Sequence, residues 1–227
     1  MGFKDRTGLD LGNEINPIYP SSTAYFDRLY GARRWSPAAT TLNFAIGQGE
    51  NTQTLINMVR FYSGLAGSGE ELAPFLVRAR EGTKTRPLGL SAEQMDGLRH
   101  ALIAVVERGT AVASRRMDLQ VAGKTGTAQN PHGKDHGWFI GFAPADKPTL
   151  VVGGIMEFAE HGTVVAPYVV QALRRYVLGP DSASKSPVKV RVIAPEDSAP
   201  RTLELDPDSA AAQAAADSIR AAGTLPQ

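Results

Sequence analysis

Val121-Ala-Gly-Lys-Thr-Gly-Thr-Ala-Gln129 runs across the Gly/Pro/His-rich loop 130–136 into Trp138-Phe-Ile-Gly-Phe-Ala-Pro144. The first stretch belongs to a loosely alternating strand over 119–127, and the second to a mostly apolar strand over 137–143. A third strand, β-branched and apolar, is expected over 149–156 after the turn 144–148. Connections this short demand antiparallel pairing, because a parallel crossover needs a dozen residues or more. A closing helix over 164–178 presents Tyr168, Val169, Ala172, Leu173 and Tyr176 on one broad apolar face, which would cover one side of the sheet.

Upstream, two more helices are marked. Ser91 and Gln94 form a Ser-x-x-Gln capping box, followed by the apolar stripe Met95, Leu98, Leu102 and Val106, and Gly109 closes the helix. An earlier helix starts at Asn51 or Thr52 and runs to Ala66, with Leu55, Val59, Tyr62 and Ala66 on one face. The stretch 13–40, rich in Pro, Ser, Tyr and Arg, reads as a long irregular loop. Residues 180–227 are rich in Ala, Ser, Pro and Asp and have no aromatic residue. A strand over 188–193 and an alanine-rich helix over 210–222 are conceivable there. Neither has the apolar surface to offset its ordering entropy, so 180–227 reads as a mobile tail to the α+β domain 1–179.

Composition narrows the chemistry. The 227 residues are 42% apolar with a net charge of +1, so nothing draws the chain globally to nucleic acid or an anionic membrane. Without cysteine there is neither a disulfide nor thiolate catalysis. The apolar runs are far shorter than the roughly 20 residues that span a bilayer, and no signal peptide opens the sequence. As written, nothing exports or anchors it.

Lys124 brings a fixed positive charge that would hold a substrate carboxylate and favour proton transfer beside it. The hydroxyls of Thr125 and Thr127 can bond the same carboxylate. Gly126, lacking a Cβ, lets a peptide lie against the strand as an added strand. Strict alternation sets Lys124 opposite Thr125 and Thr127, so all three reach one cleft only at a strand edge. Rival readings are weaker. Gly123-Lys-Thr125 could end a Walker A loop, but Asp118 stands where that pattern needs glycine, and Pro131 and Gly133 follow in place of a helix. His132 and His136 have the spacing of a metal pair but lie in a loop without an obvious third ligand, so no metal or other cofactor is expected. Trp138, Phe139 and Phe142 read as core.

Lys-Thr-Gly hairpinned to an aromatic-rich strand resembles the penicillin-recognising serine enzymes. Thr7-Gly-Leu-Asp-Leu11, Asn43-Phe-Ala-Ile-Gly-Gln-Gly-Glu50 and Glu157-Phe-Ala-Glu-His-Gly162 are similar to segments of class B penicillin-binding proteins, the peptidoglycan D,D-transpeptidases. Ala-Ile-Gly-Gln-Gly leans toward the elongation type. The resemblance implies the penicillin-binding/β-lactamase-like transpeptidase fold, Lys124 and Thr127 as catalytic residues, and Thr125 and Gly126 as substrate-binding ones. The Thr127 N–H would be half of an oxyanion hole, with the nucleophilic serine's own N–H as the other half. The implied ligands are a peptidoglycan stem peptide and β-lactams. A glycan polymerase is an implied partner, and the setting is the periplasm at the inner membrane.

The sequence departs from the family in its other elements. Ser182-Ala-Ser-Lys185 follows Lys-Thr-Gly instead of preceding it, and is read as coincidence; no Ser-x-Asn occurs. The chain is therefore expected to be the C-terminal part of a transpeptidase domain, cut downstream of its serine and inactive without that N-terminal half. The alternatives are a non-catalytic binding module or half of a split protein, and a β-lactam sensor or β-lactamase-like protein.

Overall fold

The structure is a computed structural model that describes residues 2–77, 85–179, 188–192 and 201–205. The chain divides into two units, Met1–Gly179 and Pro180–Gln227. In the first unit, helices α1 (Thr23–Tyr30), α2 (Pro37–Ala45) and α3 (Leu55–Ala66) precede a ribbon of β1 (Glu70–Leu72) and β2 (Thr85–Pro87). Helix α4 (Ala92–Arg108) leads to the main sheet, β3 (Ala122–Ala128), β4 (His136–Ala143) and β5 (Leu150–Met156), and α5 (Gly162–Leu178) closes the unit.

The main sheet is an antiparallel meander in the order β3-β4-β5, with Gly126 opposite Trp138 and Phe139 opposite Gly154. Its side-chain alternation builds two cores. Phe139 and Ala143 point to one face, where Val165, Val169, Val170 and Leu173 of α5 cover them. Ile140, Phe142 and Ala122 point to the other face, against Tyr62 and Leu65 of α3 and Met95 and Leu102 of α4. The sheet is thus sandwiched between helices, an α+β arrangement. The capping box at Ser91 and Gln94 is formed in both directions.

Several expectations need correction. The stretch 13–40 is not a single irregular loop: it holds α1 and the start of α2. Ser36 caps α2 and Pro37 occupies its first turn, where a missing N–H costs nothing. The two short helices are held by an aromatic cluster in which the Phe26 ring lies 4.8 Å from Trp35 and 6.1 Å from Phe44. Helix α3 starts at Leu55, because Thr54, and not Asn51 or Thr52, accepts the Asn57 N–H. On α5 the buried stripe is Val165, Ala166, Val169, Val170 and Leu173, while Tyr168 and Tyr176 face outward at 62% and 77% exposure. Leu98 on α4 is also exposed.

In the second unit, β6 (Val188–Val192) pairs antiparallel with β7 (Arg201–Leu205). The expected alanine-rich helix over 210–222 lies outside the described residues.

Candidate active-site cleft

Strand β3 has β4 on one side and no strand on the other among the described residues. The N–H and C=O of a strand residue point to the same side, and the sides alternate along the strand. Gly126 faces Trp138 across the β3–β4 pair. The Thr125 and Thr127 carbonyls accept side-chain donors, which places the backbone groups of these two residues on the open edge. Both of those carbonyls are covered. Lys124 Nζ donates to the Thr125 carbonyl at 2.6 Å and to Thr125 Oγ1 at 3.3 Å, and Gln48 Nε2 donates to the Thr127 carbonyl at 2.7 Å. Thr125 Oγ1 also lies 2.8 Å from Thr110 Oγ1, just past α4.

Gln48 reaches the strand because of how α2 ends. The Gln48 N–H bonds the Asn43 carbonyl and the Gly47 N–H bonds the Phe44 carbonyl, the paired bonds of a Schellman cap. Gly47 at φ 77° and Gly49 at φ 75° take left-handed conformations that a side chain would strain, so the Gly-Gln-Gly run turns sharply and aims its one side chain at β3.

Lys124, Thr125, Gly126 and Thr127 line a cavity of about 470 Å³ together with Gln48, the segment leading into α3, one face of α3 and parts of β4 and β5. Met58, Tyr62, Ile140, Trp138 and Ile155 give it an apolar floor. Burial pushes the Tyr62 hydroxyl up to about 12, so it stays protonated there. The expected strand-edge geometry is therefore present, with both sides of β3 reaching one cleft. Trp138 departs from the reading as core: it is half-buried in the cavity wall, and its indole N–H is buried without a partner among the described residues. Phe139 and Phe142 are fully buried core residues.

The rival motifs resolve locally. After Gly123-Lys124-Thr125 the chain continues in β3 and turns into β4, with no helix to receive a phosphate. Asp118 pairs with Arg174 of α5, whose guanidinium holds the carboxyl below its ordinary pKa. His136 Nδ1 accepts the Phe158 N–H at 3.1 Å, and His132 is exposed in the hairpin loop. Besides Ser182–Lys185, a second Ser-x-x-Lys occurs at Ser186-Pro-Val-Lys189, also after Lys-Thr-Gly. Both serines lie outside the described residues.

Sequence reasoning missed three residues at the site: Gln48, Thr110 and Gly162. Gly162 opens α5 directly over β3. A Cβ there would lie 2.5 Å from the Gly126 carbonyl and 2.8 Å from its nitrogen, and would also overlap the Trp138 carbonyl. These are backbone atoms, so the helix or the strand must move. Gly162→Ala is therefore expected to destabilise the unit by about 1–3 kcal/mol in a thermal melt. Gly97→Ala, inside α4 with nothing within 4 Å of the new methyl group, is expected to hold or raise stability. Equal melts for the two variants would contradict the close packing of α5 on β3.

A family profile described as "Penicillin binding protein transpeptidase domain" matches residues 1–166. The chain is 33% identical over 187 residues to the peptidoglycan D,D-transpeptidase MrdA of Acinetobacter baumannii, covering 71% of this chain and 27% of that protein. It thus spans little more than a quarter of that relative's length. Among solved structures, penicillin-binding protein PBP2 of Helicobacter pylori superposes with a TM-score of 0.66 at 28% identity, over 78% of this chain and 34% of that one. PBP2 of Pseudomonas aeruginosa, in complex with WCK 5153, gives 0.66 at 31% identity, over 78% of this chain and 40% of that one.

Proposed function

The chain belongs to the penicillin-binding protein transpeptidase family, and we propose that it forms the Lys-Thr-Gly wall of a D,D-transpeptidase cleft of the elongation type. One observation carries this reading. Lys124, Thr125, Gly126 and Thr127 lie on an open strand edge and line a single cavity with the Gly-Gln-Gly turn.

The acyl donor is a stem peptide ending in D-Ala-D-Ala. Its chain lies along the β3 edge, its terminal carboxylate meets Lys124 and the hydroxyls of Thr125 and Thr127, and the scissile carbonyl oxygen points at the Thr127 N–H. A serine hydroxyl attacks that carbonyl carbon. An ester forms, the amide bond breaks, and D-alanine leaves with the proton taken from the serine. An amine of a second stem peptide then attacks the ester, forming the cross-linking amide and returning the serine. The Thr127 N–H stabilises the negative oxygen in both steps, and such a donor contributes roughly 10²–10³ in rate. β-Lactams place their own carboxylate and carbonyl on the same groups and stop at the ester.

Among the described residues no serine lines the cavity, and on this reading the attacking serine comes from another segment. The 227-residue chain by itself is therefore expected to form no covalent adduct with benzylpenicillin in an intact-mass measurement. A stable one-to-one adduct would overturn the assignment of the nucleophile to another segment, and an adduct on Ser182 or Ser186 would identify a nucleophile within this sequence.

The remaining aspects follow the family reading. Cross-linking of peptidoglycan, alongside a glycan polymerase, places the site in the periplasm beside the inner membrane. Among the described residues no helix is long and apolar enough to cross a membrane. Residues 180–227 form an extension that the domain 1–179 does not need in order to fold.

A further inference from the structure

The acyl donor, if it adds to β3 as an antiparallel strand, exchanges two hydrogen bonds with Thr127. In such a pair one residue gives its N–H to the other's carbonyl and accepts the other's N–H on its own carbonyl. The donor residue whose carbonyl oxygen sits at the Thr127 N–H must therefore offer its own N–H to the Thr127 carbonyl. Gln48 Nε2 already occupies that acceptor, at 2.7 Å. A carbonyl oxygen has two lone pairs, but Gln48 lines the same cavity from which the substrate amide must approach, so the two donors compete for the Thr127 carbonyl.

We propose that Gln48 is a specificity-determining residue of the cleft, a side-chain placeholder for the amide N–H of the acyl-donor residue. It keeps the half-buried Thr127 carbonyl bonded while the edge is empty and yields it to a ligand that brings an N–H in register. A ligand without that N–H leaves Gln48 in place and loses nothing. The cost of displacement thus falls on amide-bearing ligands alone, and their own bond to Thr127 offsets it.

The local structure suits an exchangeable donor. The backbone of Gln48 is fixed by the two cap bonds at the end of α2, and α2 is held through the contact of the Phe44 ring with Phe26 and Tyr19. Only the side chain needs to move. Its flanking glycines add no side chain to the cleft, and nothing stands within 4 Å of where a Cβ on Gly47 would be.

This inference rests on the transpeptidase reading of the cleft, and its test is made on the full 227-residue chain co-expressed with or fused to the Ser-x-x-Lys-bearing half of a class B penicillin-binding protein. Second-order acylation rates are measured with benzylpenicillin, whose side-chain amide has an N–H, and with a carbapenem that bears a hydroxyethyl group in its place. Gln48→Ala is expected to raise the benzylpenicillin-to-carbapenem rate ratio by about twofold to tenfold, the worth of one released competing hydrogen bond. Gly47→Ala strains the cap by its φ of 77° and is expected to move the ratio in the same direction. Gly8→Ala, equally strained at φ 79° and equally unobstructed, is expected to leave it unchanged. A purely structural Gln48 would lower both rates together at constant ratio, and that result overturns the proposal. If the parent protein is acylated, Lys124→Ala is impaired, and the ratio is unmoved in Gln48→Ala, only this inference fails. If the parent protein is not acylated at all, the reading of the cleft fails and takes this inference with it.

Discussion

Glu71→Gln is expected to destabilise the first unit by about 3–5 kcal/mol, the usual cost of breaking a buried ion pair from one side. Glu71 in β1 and Arg60 in α3 face each other at 3.4 Å with side-chain exposures of only 2% and 6%. The guanidinium also donates to the Gly2 carbonyl at 2.9 Å. Burial works to lower the pKa of Arg60, and the Glu71 carboxylate opposes that shift. Removing the carboxylate charge leaves the buried guanidinium without its ion-pair partner, with the Gly2 and Arg6 carbonyls as hydrogen-bond acceptors and the carboxylates of Asp5 and Glu14 as weaker electrostatic partners. For a unit of this size the melting temperature should drop by roughly 6–20 °C. The double variant Arg60→Met with Glu71→Leu removes both charges and keeps apolar volume, so it should recover most of the loss. A calorimetric melt of the three proteins checks this. A Glu71→Gln midpoint equal to that of the parent would show that the pair contributes no stability.

The pair also shows where sequence reading ends. Neither Arg60 nor Glu71 stands out in the sequence, because each lies among residues that read as an ordinary helix or loop. Only the fold brings them together, and the same is true of Thr110 and Thr125. The main sheet was more legible. Phe139, Ile140 and Phe142 alternate between two cores, and hairpin-length loops leave antiparallel pairing as the one solution. Helix α4 announced itself through Ser91 and Gln94, a local signal that needs no partner. Helices α1 and α2 were hidden because each is too short to show a period. Pro37 reads as a loop residue until Ser36 is seen to cap the helix it opens.

At the site, Lys124, Thr125, Gly126 and Thr127 were singled out by the resemblance of their hairpin to the penicillin-recognising enzymes together with their residue types, and alternation required a strand edge. The cap that aims Gln48 was written in Gly47 and Gly49, flanking glycines one turn past a helix. Its target on β3, 79 residues away in sequence, was not. Trp138 misled for a related reason: an aromatic residue on a central strand is usually core, and its place on the cavity wall depends on Gly126 opposite having no side chain.

The most direct measurement is the rate of acylation by benzylpenicillin when the full chain is co-expressed with or fused to the Ser-x-x-Lys-bearing half of a class B penicillin-binding protein, compared between parent and Lys124→Ala. Lys124 is exposed, and among the described residues its ammonium hydrogen-bonds only Thr125, so its loss should leave the melting temperature unchanged. It is the cation at the open edge of β3 within the cavity lining. Without it the ligand carboxylate loses a charged partner, worth about 1.5–3 kcal/mol. The acylation rate constant should therefore fall by roughly 10- to 100-fold or more. Lys185→Ala, in the Ser-x-x-Lys match that follows Lys-Thr-Gly, should acylate like the parent. Parent-like acylation of a normally folded Lys124→Ala protein would contradict the account, leaving Lys124 a solvated strand residue.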